Sequence, residues 1–207
     1  MHSTAAVFAI LSYFLGAVPF GLLLSRVKGV DIRQVGSKNI GATNVFRSVS
    51  KTLGVLTFVA DGLKGFVPAW LFPKIVAAWG QGAPPPWLGL LFAALAIAGH
   101  TWPVYIKFKG GKGVATSAGA LIGIAPAATG IGLVTWILAM ALTRYVSVSS
   151  IAAALIVPAA GWGLYAKQGL ALPIALTVIG LLIVWRHKGN IQRLMNGTEH
   201  RFGKSKR

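Results

Sequence analysis

The sequence predicts an all-α integral membrane protein with seven transmembrane helices, the N-terminus outside and the C-terminus in the cytoplasm. Three observations carry that expectation. Of 207 residues, 55% are hydrophobic and only 11% charged, with a mean hydropathy of +0.71, whereas a soluble domain needs about 25% charged residues. Apolar stretches able to cross ~30 Å of hydrocarbon recur along the whole chain. The basic residues, 20 Lys+Arg against 3 Asp+Glu, gather between alternate stretches, as they do in cytoplasmic loops. A formal charge of +17 on a soluble scaffold would point to nucleic acid; on a chain this apolar it needs a membrane explanation, and nucleic acid is excluded as a partner. With no Cys there is no disulfide framework, thiolate nucleophile or Cys-type zinc site.

The first span is Thr4–Leu24, preceded by His2 rather than a basic stretch, so it is expected to be a helix and not a cleaved signal. The others are Leu53–Phe72, Pro86–Trp102, Val114–Ile124, Ala127–Leu142, Val148–Tyr165 and Leu170–Trp185. The fourth has about eleven residues and is followed by Pro126, so a six-span alternative merges it with the fifth. With seven spans, 17 of the 20 basic residues fall on one side: Arg26 to Lys51, Lys107, Lys109, Lys112, Arg144, and seven from Arg186 to Arg207. Lys74 and Lys167 fall opposite, and Lys64 lies within the second span. The whole chain is expected to form one polytopic domain.

Three of the positive loops carry more than scattered charge. The first runs Gly36-Ser37-Lys38-Asn39-Ile40-Gly41-Ala42-Thr43-Asn44-Val45-Phe46-Arg47. Its glycines let backbone amides approach an anion, and a helix starting near Ala42 would aim free N–H groups at it. Thr43 and Asn44 lie four and three residues before Arg47, so on that helix the three side chains are expected to share a face. A capped helix with an ordinary positive-inside Arg is the plainer alternative.

The second runs from Gly99-His100-Thr101-Trp102-Pro103 to Phe108-Lys109-Gly110-Gly111-Lys112-Gly113-Val114-Ala115. Gly110, Gly111 and Gly113 around Lys112 can form a nest of amides for phosphate. It is not a Walker A loop, which requires Ser or Thr after the Lys where this chain has Gly113. Alone it could equally be a flexible basic hinge, and His100 is expected to be a hydrogen-bonding group at a helix end beside the boundary residues Trp102 and Pro103.

The third runs His187-Lys188-Gly189-Asn190-Ile191-Gln192-Arg193-Leu194-Met195-Asn196-Gly197-Thr198-Glu199. His187 and Asn190 are one turn apart beside the apolar Ile191, Leu194 and Met195, giving a helix on the membrane with one polar edge; a basic tail on anionic lipid is the alternative. Within the second span, Asp61 and Lys64 are expected to neutralise each other, since a lone charge in the bilayer costs ~2.5–3.5 kcal/mol or more. Gly119 and Gly123 suggest close helix packing.

Three acids leave little to hold a metal, and there is no His-Glu-x-x-His motif and no Gly-x-Ser-x-Gly elbow. Neither metal nor cofactor is expected. A cationic, cytoplasm-facing site roofed by apolar helices suits phosphate-bearing, lipid-like molecules.

The three clusters resemble those of the bacterial acyl-phosphate:glycerol-3-phosphate acyltransferases, the PlsY family. The pattern Gly-Ser-x-Asn-x-Gly-Ala-Thr-Asn-x-x-Arg, then Gly-His-x-Trp-Pro with Phe-Lys-Gly-Gly-Lys-Gly-Val-Ala, then His-x-x-Asn-Ile-x-Arg-Leu-x-x-Gly-x-Glu covers the family's motifs in order. The likeness extends to Leu15–Gly21 and Asp61–Gly65. It implies transfer of an acyl group from acyl phosphate to the 1-hydroxyl of glycerol 3-phosphate, giving lysophosphatidic acid, the first step of phospholipid synthesis, at the cytoplasmic face of a bacterial inner membrane. It also assigns Ser37, Asn39, Thr43, Asn44 and Arg47, with Lys112, Gly110, Gly111 and Gly113, to phosphate binding. His187 and Asn190 would orient the acceptor, and Ser149 and Ser150 would add hydroxyl contacts. His187, Asn190, Lys112 and Arg47 are the expected catalytic set, with glycerol 3-phosphate, acyl phosphate and membrane lipid as partners.

The competing class is an anion transporter, which should show polar groups at midplane in repeated halves; only Asp61 and Lys64 lie there, and no internal repeat is visible. The orientation can be tested directly, because single Cys residues can be introduced on a Cys-free background. With an impermeant maleimide on intact cells, Gln81→Cys and Gln168→Cys should label from outside. Labelling of Ser37→Cys, Lys109→Cys or Lys204→Cys would invert the orientation.

Overall fold

The computed structural model describes residues 2–80 and 82–203. Gln81, Lys204, Lys206 and Arg207, used above for the charge count or for labelling, lie outside the described residues. The chain is all-helical and divides into two compact units, residues 1–124 and 125–207.

The first unit contains α1 (His2–Ala17), α2 (Phe20–Arg26), α3 (Ala42–Ser48), α4 (Lys51–Phe66), α5 (Phe72–Gly80), α6 (Trp87–Thr101) and α7 (Val114–Ile124). The expected first span is broken into α1 and α2, which meet at 43°. Pro19 has no N–H to continue the ladder, and the break leaves the Val18 carbonyl to other donors. One of them is Lys64 Nζ, at 2.8 Å. Ser50 caps α4, its hydroxyl accepting the Leu53 N–H. A π turn over Val67–Leu71, containing Pro68, joins α4 to α5, so helix runs from Lys51 to Trp79, beyond the Leu53–Phe72 expected. Lys74 therefore sits on a helix and not in a loop, its ammonium 3.3 Å from the Trp70 ring centroid.

Helices of this unit pack through glycine. A β-carbon at Gly16 would strike the Ala96 carbonyl of α6; one at Gly65 would strike Thr116 O, and one at Gly119 the Gly62 carbonyl, across the α4–α7 crossing. Lipid is as apolar as the helices, so close backbone approach and not hydrophobic burial holds such pairs. The expected role of Gly119 and Gly123 is met, Gly123 lying against Trp70.

The second unit contains α8 (Pro126–Thr143), α9 (Val146–Tyr165), α10 (Ala171–Arg186) and α11 (Lys188–Met195). Helices α7 and α8 are assigned as separate helices, divided at Ala125. Gly180 of α10 packs on the Ala154 carbonyl of α9 and Gly132 of α8 on Val157. At His187 the chain bends by 51° into α11, the amphipathic tail helix anticipated from the sequence. By length and composition four helices can cross a membrane, or six if each bent pair forms one span; the eleven-residue α7 is a shorter apolar helix.

Overpacking a tight crossing costs about 1–3 kcal/mol, whereas Ala in an open helical position gains up to ~1 kcal/mol over Gly. Gly119→Ala should therefore lower the thermal midpoint in detergent. Gly163→Ala, whose added β-carbon meets nothing within 4 Å, should match or exceed the parent.

Candidate functional site

The first cluster is built on a loop clamped from below. Leu22 of α2, Ile32 and Ile40 of the loop and Val45 of α3 form a buried apolar knot, with Ile106 of the second loop packed against it. Gly21 admits the loop, since any β-carbon there would meet the Ile40 carbonyl. At the loop's entry Arg33 binds both oxygens of Asp31, Nε to Oδ1 at 2.9 Å and Nη2 to Oδ2 at 2.6 Å. Hydrogen bonds from the Arg33 side chain and backbone hold the Asp31 carboxyl down to about 2.

Asn44, only 2% exposed, organises the rest. Its Nδ2 donates to the carbonyls of Ile32 (3.2 Å), Val35 (3.1 Å) and Asn39 (2.9 Å). Its Oδ1 accepts the Ser37 N–H at 3.0 Å and the Ser48 hydroxyl at 3.2 Å. A side-chain amide has two N–H groups and two lone pairs, so Asn44 is fully committed to shaping the loop. Asn39 Oδ1 accepts the Gly41 N–H at 2.9 Å, turning the chain into α3, which begins at Ala42 as expected. Thr43 and Arg47 lie on one side of that helix, with Arg47 Nε donating to the Thr43 carbonyl. Arg47 is exposed and Asn44 is not, so the anticipated three-residue face does not form. Ser37, Asn39 and Thr43 are half-buried at the same rim.

The second cluster rests on buried charge. Asp61 and Lys64 of α4 pair at 2.7 Å, and Asp61 Oδ1 lies 3.7 Å from Nδ1 of His100 on α6. All three are at most 4% exposed, and His100 lies in the last turn of α6, at the helix end the sequence predicted. The chain then reverses through Lys107 and Phe108, both at positive φ. The reversal brings Gly110 and Gly111 back over His100, whose carbonyl accepts the Gly111 N–H at 3.1 Å. A β-carbon at Gly111 would strike the His100 ring, and one at Gly110 its carbonyl. Gly113, at φ +81°, opens α7, and Lys112 between them is half-buried. In the first turns of α7 the buried hydroxyls of Thr116 and Ser117 have no hydrogen-bond partner among the described residues.

The third cluster belongs to the second unit. His187, 3% exposed, places Nδ1 2.8 Å from the Ile183 carbonyl. A carbonyl only accepts, so Nδ1 carries a proton and donates it to Ile183, which in the neutral form of the ring leaves Nε2 as the acceptor nitrogen. One turn on, Asn190 Nδ2 donates to Glu199 Oε1 at 2.7 Å. The same oxygen accepts from Ser147 of α9 at 2.9 Å, and Oε2 accepts from Arg193 Nε at 2.7 Å. Burial pushes the Glu199 carboxyl up, but the hydrogen bonds from Asn190, Arg193 and Ser147 together hold it below its usual value. Ser149 and Ser150, predicted as substrate contacts, are spent inside the bundle: Ser149 donates to the Tyr145 carbonyl, and Ser150 accepts from Trp136 Nε1. Ser147 was not singled out from the sequence, and Glu199, the last residue of the third motif, was given no role there. The signal was there, since Glu199 is one of three acids in a chain of 20 cations.

The fold and these clusters define a polytopic membrane protein with cationic, glycine-lined loops suited to phosphate groups. The family model for glycerol-3-phosphate acyltransferase matches residues 6–197. A glycerol-3-phosphate acyltransferase of Methylobacillus flagellatus is 41% identical over 205 residues, covering 96% of this chain and 97% of the relative. That of Brucella canis is 43% identical, over 94% and 91% of the two chains. Crystal structures of PlsY, an integral membrane glycerol 3-phosphate acyltransferase, superpose with TM-scores of 0.85 for its glycerol 3-phosphate form and 0.82 for its lysophosphatidic acid form. Sequence identities are 39% and 38%, each over 96% of this chain and 96% and 95% of the PlsY chains. The chain belongs to the glycerol-3-phosphate acyltransferase family and is a multi-pass membrane acyltransferase.

Because folded Glu199 binds its proton less tightly than the unfolded chain does, its contribution to stability is full above the unfolded value of about 4.3. It is lost as pH falls through the lower folded value. Glu199→Gln should lower the thermal midpoint at pH 7, and the gap from the parent should close as pH falls from about 5 to about 3. A gap unchanged at the acid end would show that the carboxylate's charge is not what holds the tail.

Proposed function

We propose that the chain transfers an acyl group from acyl phosphate to the 1-hydroxyl of glycerol 3-phosphate, releasing phosphate and lysophosphatidic acid. The observation that carries this reading is the pair of solved relatives, similar over nearly the whole chain, whose two forms hold molecules that differ by one acyl group. The acyl-phosphate donor rests on the likeness of all three sequence clusters to the PlsY family. In this reading residues 1–207 act as one acyltransferase domain with seven spans, the N-terminus outside, and the site facing the cytoplasm of a bacterial inner membrane.

Two phosphates bring up to about four negative charges, and charge-assisted hydrogen bonds worth ~1.5–3 kcal/mol each can hold them. Arg47 and Lys112 supply the charge, Ser37, Asn39 and Thr43 supply polar contacts, and the amides of Gly110, Gly111 and Gly113 line the nest. Asn44 acts by holding the loop in shape. The unpartnered hydroxyls of Thr116 and Ser117 support a polar guest at the start of α7. The hydroxyl oxygen of glycerol 3-phosphate attacks the acyl carbonyl carbon, the bond from that carbon to the phosphate oxygen breaks, and phosphate leaves with the proton. An acyl phosphate is an activated anhydride, so positioning and charge stabilisation are the protein's main tasks. His187, with Nδ1 tied to Ile183, presents Nε2 to the acceptor hydroxyl, and Asn190 and Glu199 keep the helix beneath it in register. The donor's phosphate takes the proton.

Arg47→Lys keeps charge but loses the planar fork, and Lys112→Gln loses charge; each should reduce kcat/KM strongly in an acyl-transfer assay. If both stay within about threefold, or roughly 0.65 kcal/mol, phosphate binding by these residues is refuted. His187→Gln should retain appreciable turnover with a raised KM for glycerol 3-phosphate. A His187→Gln enzyme that binds glycerol 3-phosphate normally and turns over nothing would make His187 the base, for which a loss of about 10²–10⁴-fold is typical.

A further inference from the structure

The buried charges under the second cluster have no place in the chemistry above, yet one of them touches the loop that performs it. Asp61 and Lys64 neutralise each other at 2.7 Å, and Lys64 also donates to the Val18 carbonyl at the break between α1 and α2. The pair would be complete without a third ionisable group. Nonetheless His100 is buried 3.7 Å from the same Asp61 oxygen. On its other side the ring is the nearest neighbour of Gly111, and its backbone carbonyl receives the Gly111 N–H at 3.1 Å. Gly110 lies against that carbonyl, and Lys112 follows directly. The 3.7 Å separation is too long for a hydrogen bond, so the ring is kept in place by the buried ion pair packed on one side and the glycine backbone on the other, and presents that surface to the loop.

We propose that His100 is a positioning residue for acyl transfer: packed between the buried Asp61–Lys64 pair and the loop, it sets the backbone of Gly110 and Gly111 and thereby the direction in which Lys112 meets phosphate. The proposal rests on the phosphate-binding reading of Lys112. It explains why glycine occupies position 111, where any side chain would displace the ring, and why a buried ion pair sits beneath a loop whose work is done at its surface. His100 touches no reacting atom in this scheme and acts through Lys112.

The test is a double-mutant cycle on kcat and KM in detergent, with the thermal midpoint of each variant measured in parallel. Lys112→Gln alone should lower kcat/KM at least tenfold and define which phosphate substrate it weakens. His100→Phe keeps a ring but loses the ring nitrogens that face Asp61 and Gly111; it should raise the KM of that same substrate about tenfold. The double variant should fall within threefold of the worse single one, because a displaced loop has already lost what Lys112 provides. His100→Asn, which keeps an N–H donor near the Nδ1 position, should recover part of the loss. If His100→Phe does not fold, Gly111→Ala examines the same contact from the loop and should also be non-additive with Lys112→Gln. Losses that multiply to a hundredfold or more, a Phe variant of parental KM, or an Asn variant no better than Phe would overturn the proposal. A silent Lys112→Gln would instead remove the phosphate-binding reading on which it stands.

Discussion

Every acidic side chain in this protein is committed to a basic partner, and the arrangement of its polar clusters depends on those pairs. Asp31 holds Arg33 at the entry to the first loop, Asp61 holds Lys64 beneath the second, and Glu199 holds Arg193 in the third. The pairs differ in what they cost to break. Asp31 and Arg33 are more than a quarter exposed, and such pairs contribute about 0–1 kcal/mol. Asp61 and Lys64 are fully enclosed, and removing one partner of a buried pair typically costs about 3–5 kcal/mol because the other charge is stranded. Glu199 lies between these cases and binds three donors at once. Cations outnumber acids by 20 to three, a formal charge of +17.

Within each unit the carboxylates act together with glycine. Close crossings at Gly16, Gly65 and Gly119 bring backbones near enough for short polar reaches to matter: Lys64 touches the Val18 carbonyl only because α1 stops at Pro19 and α4 lies close by. The first loop uses a different device, an apolar knot closed by the amide of Asn44. In both cases irregular backbone is held by groups that satisfy its N–H and C=O groups, the condition under which non-helical chain is stable near hydrocarbon.

Much of the architecture was legible in the sequence. Helix α7 was bounded correctly because Gly113 and Pro126 punctuate it, and the tail helix was visible in the spacing of Ile191, Leu194 and Met195. The break in the first span was not anticipated, since the hydropathy of Val18-Pro19 is continuous with its neighbours and only the missing N–H betrays it. At the site, the motif residues were legible but their division of labour was not. Asn44 and Arg47 have similar sequence signals, yet the amide of one is wholly committed to the loop and the other is exposed. Ser147 could not be distinguished from Ser149 and Ser150, because the choice among them depends on Glu199, fifty-two residues away. His100 lies at the helix end that Trp102 and Pro103 mark, but its burial beside Asp61 was not legible, because sequence spacing does not show what packs over a helix end.

The length of α7 bears on where phosphate and lipid meet. Eleven residues at 1.5 Å each span ~16 Å, about half of a ~30 Å hydrocarbon layer. A helix of that length does not cross such a layer by itself, and a tilted one reaches less far still. Were its Gly113 end to lie within the layer, the glycines before it would floor a polar recess below the headgroups. In the proposed reaction an acyl carbonyl drawn from the membrane would then meet a water-borne alcohol at its own depth, without the chain behind it being lifted out of the bilayer.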